Sequence, residues 1–202
     1  WWGCAKVSPG CDHCYAERDA GRYQPGRVLW GVDAERRTFG EHHWNEPLRW
    51  ERKAIRESRR LRVFCASMAD VFDKNAPEGQ RERLWAVIKA TPHLDWLVLT
   101  KRIGNAQRML PADWGAGYPN VWLGISVVNQ EEAERDVPQL GQIPAAIRFL
   151  SCEPLLGPIS LEGLWTEYAN PAIHENILER VHWMIVGGES GGKARPMETE
   201  WA

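Results

Sequence analysis

Three cysteines near the start of the sequence carry its clearest chemical signal. Six residues separate Cys4 from Cys11, and two separate Cys11 from Cys14. The close pair lets two sulfurs reach one metal centre, and the Ser8-Pro9-Gly10 bend can return Cys4 to the same centre. Three thiolates without a fourth cysteine nearby are typical of a [4Fe–4S] cluster that keeps one iron free for a small ligand. The spacing therefore predicts such a cluster on these three cysteines.

The same spacing is compatible with three other kinds of site. A Cys-x-x-Cys pair can be a redox dithiol, which usually lies near a βαβ unit. It can be half of a zinc site, completed by Cys4 and by one of His13, His42 and His43. The three thiols could also be buried and structural. Spacing alone leaves these alternatives open.

Composition is typical of an ordinary globular domain without a membrane span. The 202 residues are 44% hydrophobic and 26% charged, and no apolar run reaches the roughly 20 residues that a span needs. No signal-peptide pattern is present, so five cysteines favour metal binding in a reducing compartment and predict a cytoplasmic protein. Cys65 and Cys152 lie within apolar runs, and we expect both to be inert. The sequence begins on the cysteine motif without an initiator methionine, so we expect segments to be missing at both ends.

A strongly basic segment lies between Arg49 and Arg62. It contains seven basic residues and two acids, a net charge of +5, which leaves −7 for the rest of a chain whose total is −2. Five of the basic residues recur at steps of three and four, so we expect a helix from Leu48 to Arg60 to present them on one face. These candidate phosphate-binding residues are Arg49, Arg52, Lys53, Arg56 and Arg60. Such a face can bind nucleic acid, and the alternative is a solvated helix face without a ligand.

Five short apolar runs, each ending in polar residues, follow the basic segment. They begin at Val63, Trp96, Val121, Arg148 and Trp183. Helical candidates lie between them, at Gln80–Ala90, Ile103–Leu110, Gln130–Leu140 and Ile173–Arg180. Continuous apolar runs are typical of strands that are buried on both faces of a parallel sheet. The alternation therefore predicts an α/β fold built from βα units.

Six such units, counting one strand expected before Trp1, would make a partial (β/α)6 TIM-like barrel. An open Rossmann-like sheet is the alternative, which is weakened because no Gly-rich phosphate loop follows the first run. We predict one domain over 1–202, with a cysteine loop at 1–15, an irregular excursion and the basic helix at 21–62, and βα units over 63–202. The polar ends of the runs are where such folds place their active sites.

The sequence resembles the radical S-adenosylmethionine (SAM) enzymes, in which a three-cysteine motif follows a first strand and precedes βα units. More narrowly, it resembles a phage-encoded three-cysteine-motif family, which is classed as a domain of unknown function and grouped with radical-SAM proteins. The matching phrases are WWGCAKVSPGCDHCYAE, SMADVF, LTKR, ISVVNQ, SCEPLLGPI and GGESGGKARPM. The resemblance covers essentially the whole chain.

This resemblance implies a barrel of radical-SAM type with a [4Fe–4S] cluster on Cys4, Cys11 and Cys14, whose open iron chelates the amino and carboxylate groups of SAM. It also implies an electron donor and reductive cleavage of SAM, but its motifs do not indicate the substrate. The phage-type setting and the basic helix favour modification or repair of a nucleic acid or nucleotide-related substrate. The hard chemistry of such an enzyme belongs to its cofactors. The main alternative is a zinc-binding nucleic-acid-binding protein without catalysis. A third possibility is a family member whose cluster is structural or transfers electrons.

Two features depart from the superfamily pattern. The superfamily usually has three residues between the first two cysteines, where this chain has six, and His13 stands where an aromatic residue commonly packs against the adenine. The Gly-Gly-Glu segment that receives the SAM amino group normally ends the second strand, whereas Gly187-Gly188-Glu189 ends the last run here. We therefore expect Ser67 or Asp70 to take that role, while Glu189 faces the same cavity from another direction.

Polar residues at the strand ends complete the predicted cofactor site. Its members are His13, Ser67, Asp70, Lys101, Ser126, Asn129, Glu153, Gly187, Gly188 and Glu189. The carboxylates can bind an ammonium group or ribose hydroxyls, the lysine a carboxylate, and the serine and asparagine a ribose. The glycines permit close approach of the backbone to a ligand. The alternative role for the acids is a helix cap or a buried ion pair with Arg102 or Arg195.

Overall fold

A computed structural model describes residues 1–167 and 174–202 of the chain. Its helices are α1 (Tyr15–Tyr23), α2 (Glu41–Trp44), α3 (Glu46–Arg56), α4 (Gln80–Lys89), α5 (Ile103–Met109) and α6 (Gln130–Gln142). Its strands are β1 (Leu61–Cys65), β2 (Leu94–Thr100), β3 (Val121–Ser126), β4 (Ile147–Cys152), β5 (Trp165–Glu167), β6 (His174–Asn176) and β7 (Trp183–Val186). Short 3-10 turns cover Pro9–Cys11, Ile177–Glu179 and Thr199–Trp201.

Five strands form a parallel sheet in the order β1-β2-β3-β4-β7, and the sheet curls into half a barrel. β5 and β6 form a separate antiparallel pair between β4 and β7 along the chain. Successive strands are neighbours without any reversal of order, which distinguishes the sheet from a doubly wound one. Because parallel crossovers are right-handed, this order places the connecting helices on one face. The α/β prediction is confirmed, and all five predicted runs form the strands of this sheet.

The helix-facing side of the sheet forms the main hydrophobic core. Val98, Leu123 and Leu150 on this side are fully buried, and they belong to one cluster with Ile88 of α4 and Val137 of α6. β2, β3 and β4 are buried along nearly their whole length, as the continuous apolar runs predicted. The edge strands β1 and β7 expose Phe64, Trp183 and Val186, so the predicted burial on both faces is wrong for these two strands. No helix among the described residues is long and apolar enough to cross a membrane.

Aromatic rings line the opposite, concave face of the sheet. The ring of Phe149 packs directly on Gly124, where a Cβ atom would lie 2.3 Å from it. Trp183 covers Phe149 at 5.6 Å between ring centroids and meets Trp122 edge-on at 5.9 Å. The guanidinium of Arg62 lies 4.9 Å from the Trp122 ring centroid, within the range of a cation–π contact. These rings fill the concave face near the amino ends of the strands and leave the part near the carboxyl ends open.

Two sequence predictions are corrected by the described residues. The predicted helix over Ile173–Arg180 is wrong, because its described part forms strand β6 and a 3-10 turn; Ile173 itself lies outside the described residues. The predicted basic helix ends at Arg56 rather than at Arg60. Arg60 lies beyond the helix and pairs with Asp95 of β2 at 2.7 Å, because the chain has already turned towards β1.

The contact between Gly124 and Phe149 gives a stability prediction. Gly124→Ala should lower the free energy of unfolding by about 1–3 kcal/mol, because the new methyl group overpacks against the ring. Urea unfolding of the parent and the variant measures this difference. Gly157→Ala is the matched control, since a Cβ there meets nothing within 4 Å. Equal losses in the two variants would contradict the prediction, and Phe149→Leu in the Gly124→Ala background should restore part of the loss.

Candidate functional site

A cavity of about 360 Å³ lies at the carboxyl edge of the parallel sheet, beside the cysteine loop. Cys4, Cys11 and Cys14 all line it and are partly buried, and the buried Cys65 lines it as well. The opposite wall comes from the ends of β2, β3 and β4 and from the segment after β7. The three cysteines of the sequence motif and the polar strand ends therefore meet at one place, as the parallel arrangement requires.

Local hydrogen bonds shape the cysteine loop. The Ser8 hydroxyl accepts from the Gly10 amide at 3.0 Å, which caps the 3-10 turn that contains Cys11. Cys14 stands at the N-terminus of α1. The Cys4 carbonyl accepts from the Gly31 amide at 2.9 Å, which ties the loop to the segment that carries Trp30. The bend expected from Ser8-Pro9-Gly10 is present, and it returns the chain towards Cys4.

The Asp70 carboxylate joins three elements near Cys4. One of its oxygens accepts from the Phe72 amide at 2.9 Å and from the Thr100 hydroxyl at 2.8 Å. The other accepts from the Lys101 amide and from the Arg102 guanidinium, both at 3.0 Å. A carboxylate has about four lone-pair sites, and all four are used here. Asp70 lines the cavity as predicted, but its contacts are those of the buried ion pair that was the alternative.

Arg102 connects the Asp70 carboxylate to the first cysteine of the motif. Its side chain is 9% exposed, and it donates to the Cys4 sulfur at 3.3 Å and to the Ala5 carbonyl at 2.6 Å. Burial raises the pKa of the Cys4 thiol, and the nearby Arg102 charge acts in the opposite direction. The protein therefore places a fixed cation against a partly buried sulfur.

A second ion pair braces the other side of the cysteine loop. Glu189 accepts from the amide and the guanidinium of Arg195 and from the His13 ring at 2.7 Å. The Arg195 hydrogen bonds are the main reason that the pKa of Glu189 falls to about 2. Arg195 also donates to the Pro9 carbonyl at 3.0 Å and to Asp12 at 3.4 Å. Glu189 thus lines the cavity as predicted while serving the ion pair that was its alternative.

Two charged groups in the cavity remain available to a ligand. The Lys101 ammonium donates to the Ser126 hydroxyl at 2.7 Å and has no acidic partner among the described residues. The Glu153 side chain is exposed and makes no hydrogen bond or ion pair within the described part of the chain. Its carboxylate lies beside Gly187, where a Cβ would be 3.0 Å from a Glu153 oxygen. A cation and an anion thus face the cavity across the sheet edge.

Eight of the ten predicted cofactor residues line the cavity. They are His13, Ser67, Asp70, Lys101, Ser126, Glu153, Gly188 and Glu189. Asn129 and Gly187 do not belong to the lining. The side chain of Asn129 accepts from the Glu132 amide at 2.9 Å and caps α6, so the structure gives it a helix-capping role. Gly187 lies directly behind the Glu153 carboxylate.

Sequence reasoning missed the residues that hold the segment between α1 and α2 over the cavity. Arg36 is buried, pairs with Asp73 at 3.0 Å, and donates to the carbonyls of Leu29, Gly31 and Ala34. This places Trp30 in the cavity wall. An arginine in a Gly-rich irregular stretch has no periodicity or motif that distinguishes it, so the sequence contained no signal for this role.

The basic residues of α3 lie away from the cavity. Pro47, Glu51 and Ala54 are the buried residues of this helix, and the predicted basic residues are all exposed. At 100° per residue, Arg49, Arg52, Lys53 and Arg56 fall opposite the buried face. None of them lines the cavity. The predicted basic face of α3 is therefore present on the outer surface of the protein, but Arg60 does not belong to it.

The side chains that could bind a metal limit which kind of metal group the cysteines can hold. No three His, Cys, Asp or Glu side chains of residues 1–167 and 174–202 are grouped closely enough to hold a single metal ion. A zinc ion needs four ligands at about 2.0–2.3 Å from one point. A [4Fe–4S] cluster bonds each cysteine through a different iron, so its three sulfurs stand further apart around one cavity. Three partly buried cysteines around one cavity are compatible with such a cluster.

A model for a family of proteins of unknown function, DUF5131, matches residues 1–202. The chain belongs to the DUF5131 family. Comparisons with curated proteins and with solved structures give no match. The family description states no activity, so the radical-SAM grouping, the cofactors and the substrate remain predictions.

Proposed function

We propose that this protein is a radical-SAM-like iron–sulfur enzyme that reductively cleaves SAM and modifies or repairs a nucleic acid or nucleotide-related substrate. The observation that supports the proposal is the meeting of Cys4, Cys11 and Cys14 in one cavity at the carboxyl edge of a parallel sheet. A half-barrel of sequentially ordered strands is compatible with the partial barrel of radical-SAM type. An external electron donor completes the proposal.

Each group around the cavity has a role in this proposal. A reduced [4Fe–4S] cluster, when bound to the three cysteines, supplies the electron that cleaves SAM. Lys101 binds the carboxylate of SAM, and Glu153 accepts a hydrogen bond from its amino group or from a ribose hydroxyl. Glu189 and Arg195 hold the cysteine loop against the sheet. His13 stays in the adenine position that the resemblance implies, at the rim of the cavity.

The cluster assignment predicts how cysteine variants behave. After anaerobic reconstitution with iron and sulfide, Cys4→Ala, Cys11→Ala and Cys14→Ala should each lose most of the bound iron and the brown absorbance. Cys65→Ala and Cys152→Ala are the controls. Cys65 also lines the cavity and Cys152 does not, but burial raises the pKa of these thiols to about 12 and about 11, so both variants should keep the iron and the absorbance. Cluster loss from a control alone would contradict the assignment. Colourless parent protein with one bound zinc would favour the zinc-binding alternative.

The SAM site predicts a second set of variants. Glu153→Gln and Lys101→Met should each weaken SAM binding about 10- to 150-fold, the equivalent of about 1.5–3 kcal/mol for one charge-assisted hydrogen bond. Equilibrium binding of SAM to the reconstituted protein measures this, with cluster absorbance checked in each variant. Glu162→Gln is the control, because Glu162 is exposed and lies outside the cavity lining. Parent-like binding in both cavity variants places SAM elsewhere.

The outer face of α3 is the proposed nucleic-acid contact. Replacing Arg52, Lys53 and Arg56 together by Ala should flatten the salt dependence of oligonucleotide binding by about three phosphate contacts. A control variant removes the same charge elsewhere, at the exposed residues Arg22, Arg27 and Arg108. Binding titrations at several salt concentrations measure the slope. An unchanged slope, or a slope that changes equally in the control, means that this face is only solvated.

A further inference from the structure

We propose that Arg102 is a positioning residue that sets the reduction potential of the cluster through its hydrogen bond to the Cys4 sulfur. This inference rests on the proposed function, because it requires a cluster on the cysteine loop. It adds a role for a residue that lies outside the cysteine motif.

The guanidinium of Arg102 contacts both the Cys4 sulfur and the backbone that follows it. One of its nitrogens contacts both the Cys4 sulfur at 3.3 Å and Asp70 at 3.0 Å, and another contacts the Ala5 carbonyl at 2.6 Å. One planar group therefore holds the sulfur and the backbone that follows it. Arginine suits this task because its donors form a rigid fork and its charge is permanent.

Arg102 is buried and anchored, so its guanidinium cannot easily move away from Cys4. Its side chain is 9% exposed and that of Asp70 is 6% exposed. Asp70 is held in turn by the Phe72 and Lys101 amides and by the Thr100 hydroxyl. Breaking one partner of such a buried pair leaves an uncompensated charge, which is strongly destabilising. The position of the guanidinium is thus fixed by backbone groups of two separate segments.

The three cysteines differ in the hydrogen bonds that their sulfurs accept. Within the described residues, the sulfur of Cys4 accepts a hydrogen bond from a cation, whereas no such contact involves the sulfur of Cys11 or Cys14. Hydrogen bonds to ligand sulfurs and nearby charge are two of the properties that set the potential of an iron–sulfur centre. Reduction adds one negative charge to the cluster, and a buried cation stabilises that charge more than it would in water. Arg102 therefore makes the cluster easier to reduce.

The test is a comparison of cluster potentials in the absence of SAM. We expect Arg102→Gln to move the midpoint potential to a more negative value in a potentiometric titration followed by electron paramagnetic resonance. We also expect it to lose iron to a chelator at a concentration about 10- to 100-fold lower than the parent does. Arg102→Lys keeps the charge without the fork and should give an intermediate potential.

Two further variants distinguish a specific effect of Arg102 on the reduction potential from the general structural effect of losing an ion pair. Arg60→Gln breaks an arginine–aspartate pair, with Asp95, at the opposite edge of the sheet, where neither residue lines the cavity, so it should keep the parent potential. Asp70→Asn removes a buried negative charge and keeps the Arg102 charge, so it should move the potential to a more positive value, opposite to Arg102→Gln. If Arg102→Gln does not fold, the Arg102→Lys variant decides the question through its potential.

The outcomes distinguish this inference from the function on which it rests. A parent protein that takes up no cluster overturns the proposed function, and this inference with it. A parent that takes up a cluster, with loaded Arg102→Gln and Arg102→Lys at the parent potential, overturns this inference alone. A shift in both Arg102 variants, without a shift in Arg60→Gln, supports it.

Discussion

The four hydrogen bonds to the Asp70 carboxylate are the interaction on which the site depends. They join the segment after β1 to the end of β2, and through Arg102 they reach Cys4. A buried carboxylate is costly unless its lone pairs are satisfied, and here each one has a donor. Because two of the donors are backbone amides, the geometry near Cys4 depends on the register of the sheet itself. The cysteine loop is therefore positioned by the fold rather than by its own sequence alone.

The charged groups of the cavity are of two kinds: some are paired and support the cysteine loop, and others are unpaired in the described part of the chain and can bind a ligand. The carboxylates of Asp70 and Glu189 are occupied by Arg102 and Arg195, which hold the cysteine loop from two sides. Lys101 and Glu153 face the same space without charged partners among the described residues. Paired groups are rigid and keep their charges, whereas unpaired groups can exchange water for a ligand. This division of roles follows from the contacts and needs no assumption about the ligand.

The sequence predicted the sheet and the place of the site, because both follow from strong local patterns. Continuous apolar runs can only be buried strands or buried helices, and polar residues at their ends must meet in a parallel sheet. Individual roles were harder to predict, since whether Asp70 binds a ligand or an arginine depends on contacts 30 to 32 residues away in the chain. Asn129 was predictable as a helix cap, because Asn129 and Glu132 have the spacing of a capping box. Arg36 gave no such signal.

The brace of Glu189 and Arg195 has a consequence for how the protein matures. It connects residues that are 176 to 186 positions apart in the chain, so the cysteine loop leaves the ribosome long before its partners exist. Contacts of such sequence separation form late in folding, after the ends of a long loop have met. Until Glu189 and Arg195 emerge, the cysteine loop therefore lacks this brace, although its contacts with Gly31 and Arg102 can already form. The final order of the loop, and any metal group that requires it, is a post-translational event.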